Sequence, residues 1–299
     1  MRYLTVFFMA LVLFFNLQAE NKGFSPISFW DSMQWARSDW NSDSDFQEDP
    51  DIKLVEKNFI QFCQIFENSP RPNYDIPPSY SSIPPIIHLI WLGSPINPEV
   101  QIAIESWKKH HQGWEINVWT DEKVKNFSWT EERLRIAFEQ ADTWAEKADI
   151  LRLDVLYQFG GIYSDVDVLC LHPFHDLIVQ NITFFSCFEL NYTSSHYGEP
   201  FYIGTAVMGA TKSSPLMKSC LDNCQTKLEA PHVKYLNRTA TGLVSRVCQA
   251  FLQDDKENIL ILPCSYFYPF PWKKRDENAA DFISPQTLAI HLWDNSWMK

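Results

Sequence analysis

Apolar positions in the chain fall into two kinds of run, and they alternate. Ile86 to Leu92 is a nearly continuous apolar stretch, as expected for a strand buried on both faces of a mostly parallel sheet. Asn97 to His111 reads as a helix with Val100, Ile104 and Trp107 inward. Trp114 to Trp119 reads as a second strand, and about Thr130 to Gln140 as a second helix. Trp144, Ala148, Leu151, Val155 and Phe159 recur at spacings of three and four, the pattern of one buried helix face. Gly160 and Gly161 supply a helix stop. Ile162, Tyr163 and Ser164 then open an extended run that delivers Asp165 and Asp167. Further on, Ile182 to Phe188 reads as a strand, roughly Ser214–Leu228 and Gly242–Phe251 as helices, and Ile259 to Leu262 as a short strand. Strands alternating with helices predict an α/β domain with ligands at the carboxyl ends of its strands, here spanning residues 81–299.

Two stretches within that domain have open readings. In Tyr202 to Met208, a stretch expected to line the site, Gly204 and the following Gly209 are expected to allow close approach of backbone or of a sugar. The run from Tyr266 to Trp272 is too rich in proline for a central strand. It is either a loop packed on the core or an acceptor platform. Residues 20–80 read as a helical extension and linker. Asn41 to Asp51 is acidic, Ile52 to Phe66 has helical spacing and is expected to dock on the main domain, and Pro70, Pro72, Pro77 and Pro78 end it. Trp30, Trp35 and Trp40 lie further upstream and either pack on the core or form a partner surface.

Residues 1–19 have the form of a signal peptide: Arg2, an apolar run from Leu4 to Phe15 broken only by Thr5, and a cleavage-like Leu17-Gln18-Ala19. A short signal anchor is the alternative, although a membrane span needs ~20 apolar residues. Either reading takes the catalytic part out of the cytosol, to a periplasmic, secreted or lumenal location, and places it at a membrane only if the segment is an uncleaved anchor. The seven cysteines contain no CxxC pair, and Cys220 and Cys224, one helical turn apart, suit packing better than a disulfide.

The 299 residues are 45% hydrophobic, enough for one large core. A formal net charge of −12 with no dense Lys/Arg block excludes a nucleic acid polymer or an anionic membrane surface as the main partner. The charge also bears on Asp165 and Asp167. In extended chain, residues i and i+2 point to one side, and two carboxylates held together call for a cation between them. A diphosphate approaching them is repelled without one. Asp-x-Asp more often marks a solvated turn, but Val166 and Val168 make one side of this run apolar. Asp149 and Arg152, one turn apart on the preceding helix, form at least an ion pair; on a surface such a pair is worth ~0.3–0.5 kcal/mol.

The motifs Ala148-Asp149-Ile150-Leu151-Arg152 and Gly160-Gly161-Ile162-Tyr163-Ser164-Asp165-Val166-Asp167 resemble those of DXD-motif glycosyltransferases of the glycosyltransferase 32 type. Those are relatives of the yeast-type mannosyltransferases, the α-1,4-galactosyltransferases and the clostridial glucosylating toxins. Ile83 to Gly93 and Ala289-Ile290-His291-Leu292-Trp293 support the resemblance at both ends of the domain. It implies a GT-A-like fold, a Mn²⁺ (or Mg²⁺) ion and a nucleotide-sugar donor. Asp167 would ligate the metal directly, with Asp165 contacting the ribose and supporting the metal. Trp91 would stack on the base, with Tyr163 in the same donor-binding set. Asp149 and Arg152 would hydrogen-bond the donor sugar or ribose. Ser296 and Trp297 resemble the closing segment of the toxins, and His291 the histidine of the galactosyltransferase ending; as a core histidine, His291 has an equally simple structural reading.

The resemblance further implies transfer with retention of configuration, from a UDP-sugar in the first place and GDP-mannose in the second, to a glycan, lipid or protein hydroxyl. No covalent nucleophile and no general base is assigned. Thr241-Gly242 resembles a family turn, but Leu243 stands where proline is usual. A noncatalytic glycan- or nucleotide-binding protein, a glycoside hydrolase using paired carboxylates and an exported effector acting on a host protein are the other readings.

Overall fold

A computed structural model describes residues 60–66, 68, 83–178, 181–189, 202–252 and 257–294. The leader-like residues 1–20, the three upstream tryptophans, the acidic linker, and Ser296 and Trp297 lie outside the described residues. Five strands and their flanking helices open the domain: β1 (Ile86–Ile90), α1 (Pro98–His110), β2 (Glu115–Trp119), α2 (Asp121–Val124), α3 (Glu132–Gln140), α4 (Trp144–Phe159), β3 (Gly161–Ser164), β4 (Val168–Cys170), α5 (His175–Ile178) and β5 (Phe184–Cys187). The second half adds β6 (Val207–Ala210), α6 (Pro215–Asn223), α7 (Tyr235–Thr239), α8 (Thr241–Phe251), β7 (Ile259–Leu262) and β8 (Ala289–His291).

Six strands form one sheet in the order β2-β1-β3-β6-β5-β7, and β4 pairs with β8 beside it. The β1/β2, β1/β3 and β5/β7 pairings are parallel, and β6 runs antiparallel to both its neighbours. This is the α/β arrangement the sequence predicts: a mostly parallel, mixed sheet flanked by helices. The strands of its centre are buried along their length, because each is covered on both faces.

Helix caps follow the expected chemistry. Asn97 accepts from the Val100 amide at 2.8 Å, with Pro98 at the first helical position. Thr143 accepts from the Glu146 amide at 3.1 Å. At the other end of α4, Gly160 (φ 66°) and Gly161 (φ 94°) turn the chain directly into β3. A Cβ on Gly161 would lie 2.5 Å from the Ile86 carbonyl oxygen in the neighbouring strand. Gly161→Ala is therefore expected to cost ~2–5 kcal/mol from a strained φ and an overpacked strand pair. A urea-unfolding midpoint equal to wild type would contradict this.

Three expectations need correction. Helix α4 does not bury one face: Ile150 to Leu156 are buried all round, while Trp144 is 50% exposed and Phe159 37%. A helix lying under other elements at its middle has no solvent face there, and its ends emerge. The close approaches at Gly204 and Gly209 are to side chains, Tyr268 and the Phe185 ring, rather than to backbone or sugar. Asp165 to Asp167 form a turn, closed by the Val168 amide donating to the Asp165 carbonyl at 3.2 Å, rather than a continuous strand.

Of the aromatic run, Tyr266, Phe267, Tyr268 and Phe270 are buried, which makes it core packing, while Trp272 is 37% exposed. In the described part of the N-terminal helix, Phe62 is fully buried and meets Phe188 edge-on, and Gln61 donates to the Leu252 carbonyl at 3.2 Å. All seven cysteines are buried.

Candidate active site

Parallel register brings the site together. Leu89 of β1 pairs with Ser164 of β3, so both strands end side by side, one leading to Trp91 and the other to Asp165. Past the Asp165–Asp167 turn, β4 pairs with β8 in a register that sets Val168 opposite His291. The Leu292 amide donates to the Asp167 carbonyl at 2.9 Å, and the Asp294 amide donates to Asp167 Oδ2 at 3.0 Å. His291 Nε2 stands 3.3 Å from the same carboxylate oxygen. One ligand atom from each of Asp165, Asp167 and His291 lies within 4.8 Å of the other two.

Beneath this trio, Asp165 is held by buried groups. The Tyr163 hydroxyl donates to Asp165 Oδ1, and Arg152 Nη1 lies 3.4 Å from it. The Asp165 amide donates to the Ala206 carbonyl at 2.8 Å. Arg152 Nη1 also donates to the Thr205 carbonyl at 2.7 Å, Nη2 pairs with Asp149, and the guanidinium stacks 4.8 Å from the centre of the Tyr163 ring. Asp149 and Arg152 are 3% and 5% exposed, so theirs is a buried pair and not a surface one. Removing one partner of such a pair leaves an uncompensated buried charge, at ~3–5 kcal/mol. Arg152 and Tyr163 thus turn inward on Asp165; what they offer a ligand is the position of that carboxylate. The Arg152 Nε and His291 Nδ1 atoms are buried without a hydrogen-bond partner among the described residues.

Burial opposes protonation of His291 most strongly, but Asp167, Asp165 and Glu189 together outweigh it and raise the histidine's pKa. A position where a proton is held by an imidazole and two carboxylates also suits a divalent cation, whose preferred partners are oxygen ligands, with imidazole for the transition metals. The three donors therefore fit a metal of the Mn²⁺ class. His291 reaches this cluster as a ligand-type group, which its reading as an ordinary core histidine does not provide for.

Trp91 is half-buried at the end of β1, its indole N–H donating to the Pro95 carbonyl at 3.1 Å. Two residues on, Gly93 has φ 86°, and a Cβ there would come within 2.3 Å of the Trp144 indole. The start of α4 thereby brings a second, exposed indole to the Trp91–Gly93 turn. Sequence reasoning assigned Trp144 to the core because it falls in phase with Leu151; only its place at the helix end exposes it. Asp294 and Glu189 were missed as well. Neither carries a motif, and both arrive through strand pairings that are remote in sequence.

Residues 97–184 match the family described as "Glycosyltransferase sugar-binding region containing DXD motif". Among curated proteins, the chain is 30% identical over 110 residues to inositol phosphoceramide mannosyltransferase 1 of Schizosaccharomyces pombe, covering 34% of this chain and 33% of that one. It is 25% identical over 194 residues to glycosyltransferase L373 of Acanthamoeba polyphaga mimivirus, covering 62% and 73%. Among solved structures, the catalytic domain of the Clostridium novyi α-toxin aligns with a TM-score of 0.48 at 9% identity, over 95% of this chain and 91% of that one. The chain is thus similar over residues 97–184 to the DXD-motif glycosyltransferases, and the matched region contains Asp149, Arg152, Asp165 and Asp167. It spans about a third of the length of the mannosyltransferase it matches.

Proposed function

We propose that the chain is a metal-dependent, retaining glycosyltransferase that moves a sugar from a nucleotide-sugar to a hydroxyl of a glycan, lipid or protein. The observation that carries this reading is the convergence of Asp165, Asp167 and His291 within 4.8 Å at the carboxyl ends of the strands. Asp167 and His291, with Asp165, would hold the cation, which when bound supplies Lewis-acid neutralisation of a diphosphate leaving group. The chain's own groups do the rest. Tyr163 and Arg152 fix the Asp165 carboxylate, the Asp294 amide fixes Asp167, and Trp91 and Trp144 offer stacking faces to the base. Arg152 is bound internally, so its part in the reading is positioning rather than direct contact with the sugar.

UDP-sugars are the favoured donors, on the toxin-like context of Trp91. The name of the yeast relative adds a mannose donor and an inositol phosphoceramide acceptor to what should be tried. Export of the chain by residues 1–19, with 20–80 as an extension of the 81–299 domain, belongs to the same reading. Among the described residues no helix is long and apolar enough to cross a membrane.

The test is acceptor-free donor hydrolysis by the chain from about residue 20, with a panel of UDP- and GDP-sugars and with Mn²⁺ or a chelator. Release of one nucleotide that requires Mn²⁺ supports the reading and names the donor. Hydrolysis undiminished by chelator contradicts metal dependence, and absence of nucleotide binding by calorimetry removes the donor site. On the same samples, Trp144→Ala is expected to raise the donor KM roughly tenfold with kcat kept, since an aromatic–base stack is worth ~1–3 kcal/mol. An unchanged KM removes Trp144 from the base seat.

A further inference from the structure

Glu189 follows β5 directly and is pinned to the segment that carries the site. Its amide donates to the Tyr202 carbonyl at 2.8 Å, and Phe188 forms a β-bridge with Ile203. In the same segment the Thr205 carbonyl accepts from Arg152, the Ala206 carbonyl accepts from the Asp165 amide, and the Ala206 amide donates to the Tyr268 hydroxyl at 3.0 Å. The charges that act on Glu189 are those of His291, Asp165 and Arg152, and its own acts on Tyr268. Strand β6 runs antiparallel to both β3 and β5, so β3 and β5 point the same way, and Glu189 at the carboxyl end of β5 lies at the same edge of the sheet as Asp165 at the end of β3. It is not among the three residues whose ligand atoms converge within 4.8 Å.

What sets Glu189 apart is that its half-buried carboxyl makes no hydrogen bond or ion pair with any described residue. The buried carboxylates that serve structure in this fold are saturated. Asp154 accepts from the Thr130 amide, the Thr130 hydroxyl and Gln158. Glu257 accepts from the Leu216 amide and from the hydroxyls of Ser214 and Thr183. Burial and Asp165 push the Glu189 carboxyl up to about 7, against the pull of His291 and Arg152. A carboxyl that burial and Asp165 hold away from its charged form is costly to the fold, and no hydrogen bond from the described residues offsets that cost.

We propose that Glu189 is a catalytic carboxylate that contacts the transferred sugar, beyond the diphosphate. This rests on the glycosyltransferase reading above. As the bond from the anomeric carbon to the diphosphate oxygen breaks, its electron pair leaves with the phosphate, and positive charge develops across the anomeric carbon and ring oxygen. The Glu189 carboxylate faces that charge. The acceptor oxygen then bonds the anomeric carbon, and its proton goes to the departing phosphate oxygen.

The experiment compares wild type with Glu189→Gln and Glu189→Ala in donor hydrolysis with Mn²⁺, and in calorimetry with the nucleoside diphosphate and with the intact nucleotide-sugar. Glu189→Gln is expected to lower hydrolysis about 100-fold or more, as losing one preorganised charge does, with nucleoside diphosphate affinity unchanged and the thermal midpoint kept or raised. Formate is expected to restore part of the activity of Glu189→Ala. If wild type binds donor without hydrolysing it, the readout is the ratio of nucleotide-sugar to nucleoside diphosphate affinity, which the variant is expected to change and whose constancy overturns the inference. Hydrolysis within about threefold of wild type, or a parallel loss of nucleoside diphosphate binding, overturns it while leaving the glycosyltransferase reading standing. A wild type that binds no nucleotide overturns both.

Discussion

Asp167→Ala is expected to lose at least about a thousandfold in Mn²⁺-dependent donor turnover while remaining folded. The carboxylate belongs to the ligand trio, with His291 Nε2 3.3 Å from its Oδ2. Removing it leaves one carboxylate and one imidazole where a diphosphate has to be neutralised. On a chain of formal net charge −12 there is no basic block to take over. Electrostatic stabilisation of a developing anion is usually the largest single term in such a step, and one preorganised donor alone accounts for ~10²–10³; losing a metal ligand removes more, because the cation's own charge goes with it. Stability should change little. Asp167 Oδ2 accepts one amide hydrogen bond, from Asp294, worth ~1 kcal/mol, and it also pairs with His291; without it burial keeps that imidazole neutral, so no uncompensated charge is left inside. Turnover, Mn²⁺ titration and the thermal midpoint on one preparation check this. A variant that turns over at the wild-type rate with Mn²⁺ ends the site assignment, and one that fails to fold transfers Asp167 from chemistry to structure.

The sequence made most of the fold legible and only part of the site. Ile259 to Leu262 is a continuous apolar run, and Ile86 to Ile90 is one broken only by the buried His88, because both faces of their strands are covered, so their identity needed no partner information. The antiparallel insertion of β6 between β3 and β5 depends on pairings that no local pattern encodes. At the site, the Asp165/Asp167 pair was visible as a motif, but its convergence was argued from strand alternation, and the chain instead turns there. His291 reaches Asp167 only because β8 returns to β4 after more than a hundred residues. Trp144 and Phe159 show the limit of periodicity: it gives the face a residue lies on, not whether anything covers that face at the helix ends.

Lowering the pH from 7.5 to 5 is expected to cost the fold on the order of 4 kcal/mol through His88 and His111. Burial pushes each of them down to about 4 from an ordinary value near 6.5. Their hydrogen bonds explain why neither accepts a second proton easily. His88 Nε2 donates to the Gly160 carbonyl at 2.9 Å, which leaves Nδ1 to accept from the Trp119 indole at 3.2 Å. His111 Nδ1 donates to the Trp107 carbonyl at 3.1 Å, and Nε2 accepts from the Phe174 amide at 2.9 Å. Protonation would break the accepted bond in both. With the folded-state pKa below the unfolded one, the unfolded chain binds protons first. The stabilisation is complete above about pH 6.5 and is lost as pH falls toward 4, at ~2 kcal/mol per histidine by pH 5. Against a typical total of ~5–15 kcal/mol, that is enough to bring the domain near its unfolding transition. Glu189 and His291 act in the opposite sense, since their pKa values are raised in the folded state and stabilise it as pH falls. Glu189 is half exposed, so its share is the smaller. Measuring urea midpoints at the two pH values in the Glu189→Gln background removes it. A midpoint unchanged between pH 7.5 and 5 contradicts the assignment, because neither neutral, buried imidazole takes up in the folded state the proton it binds in the unfolded chain.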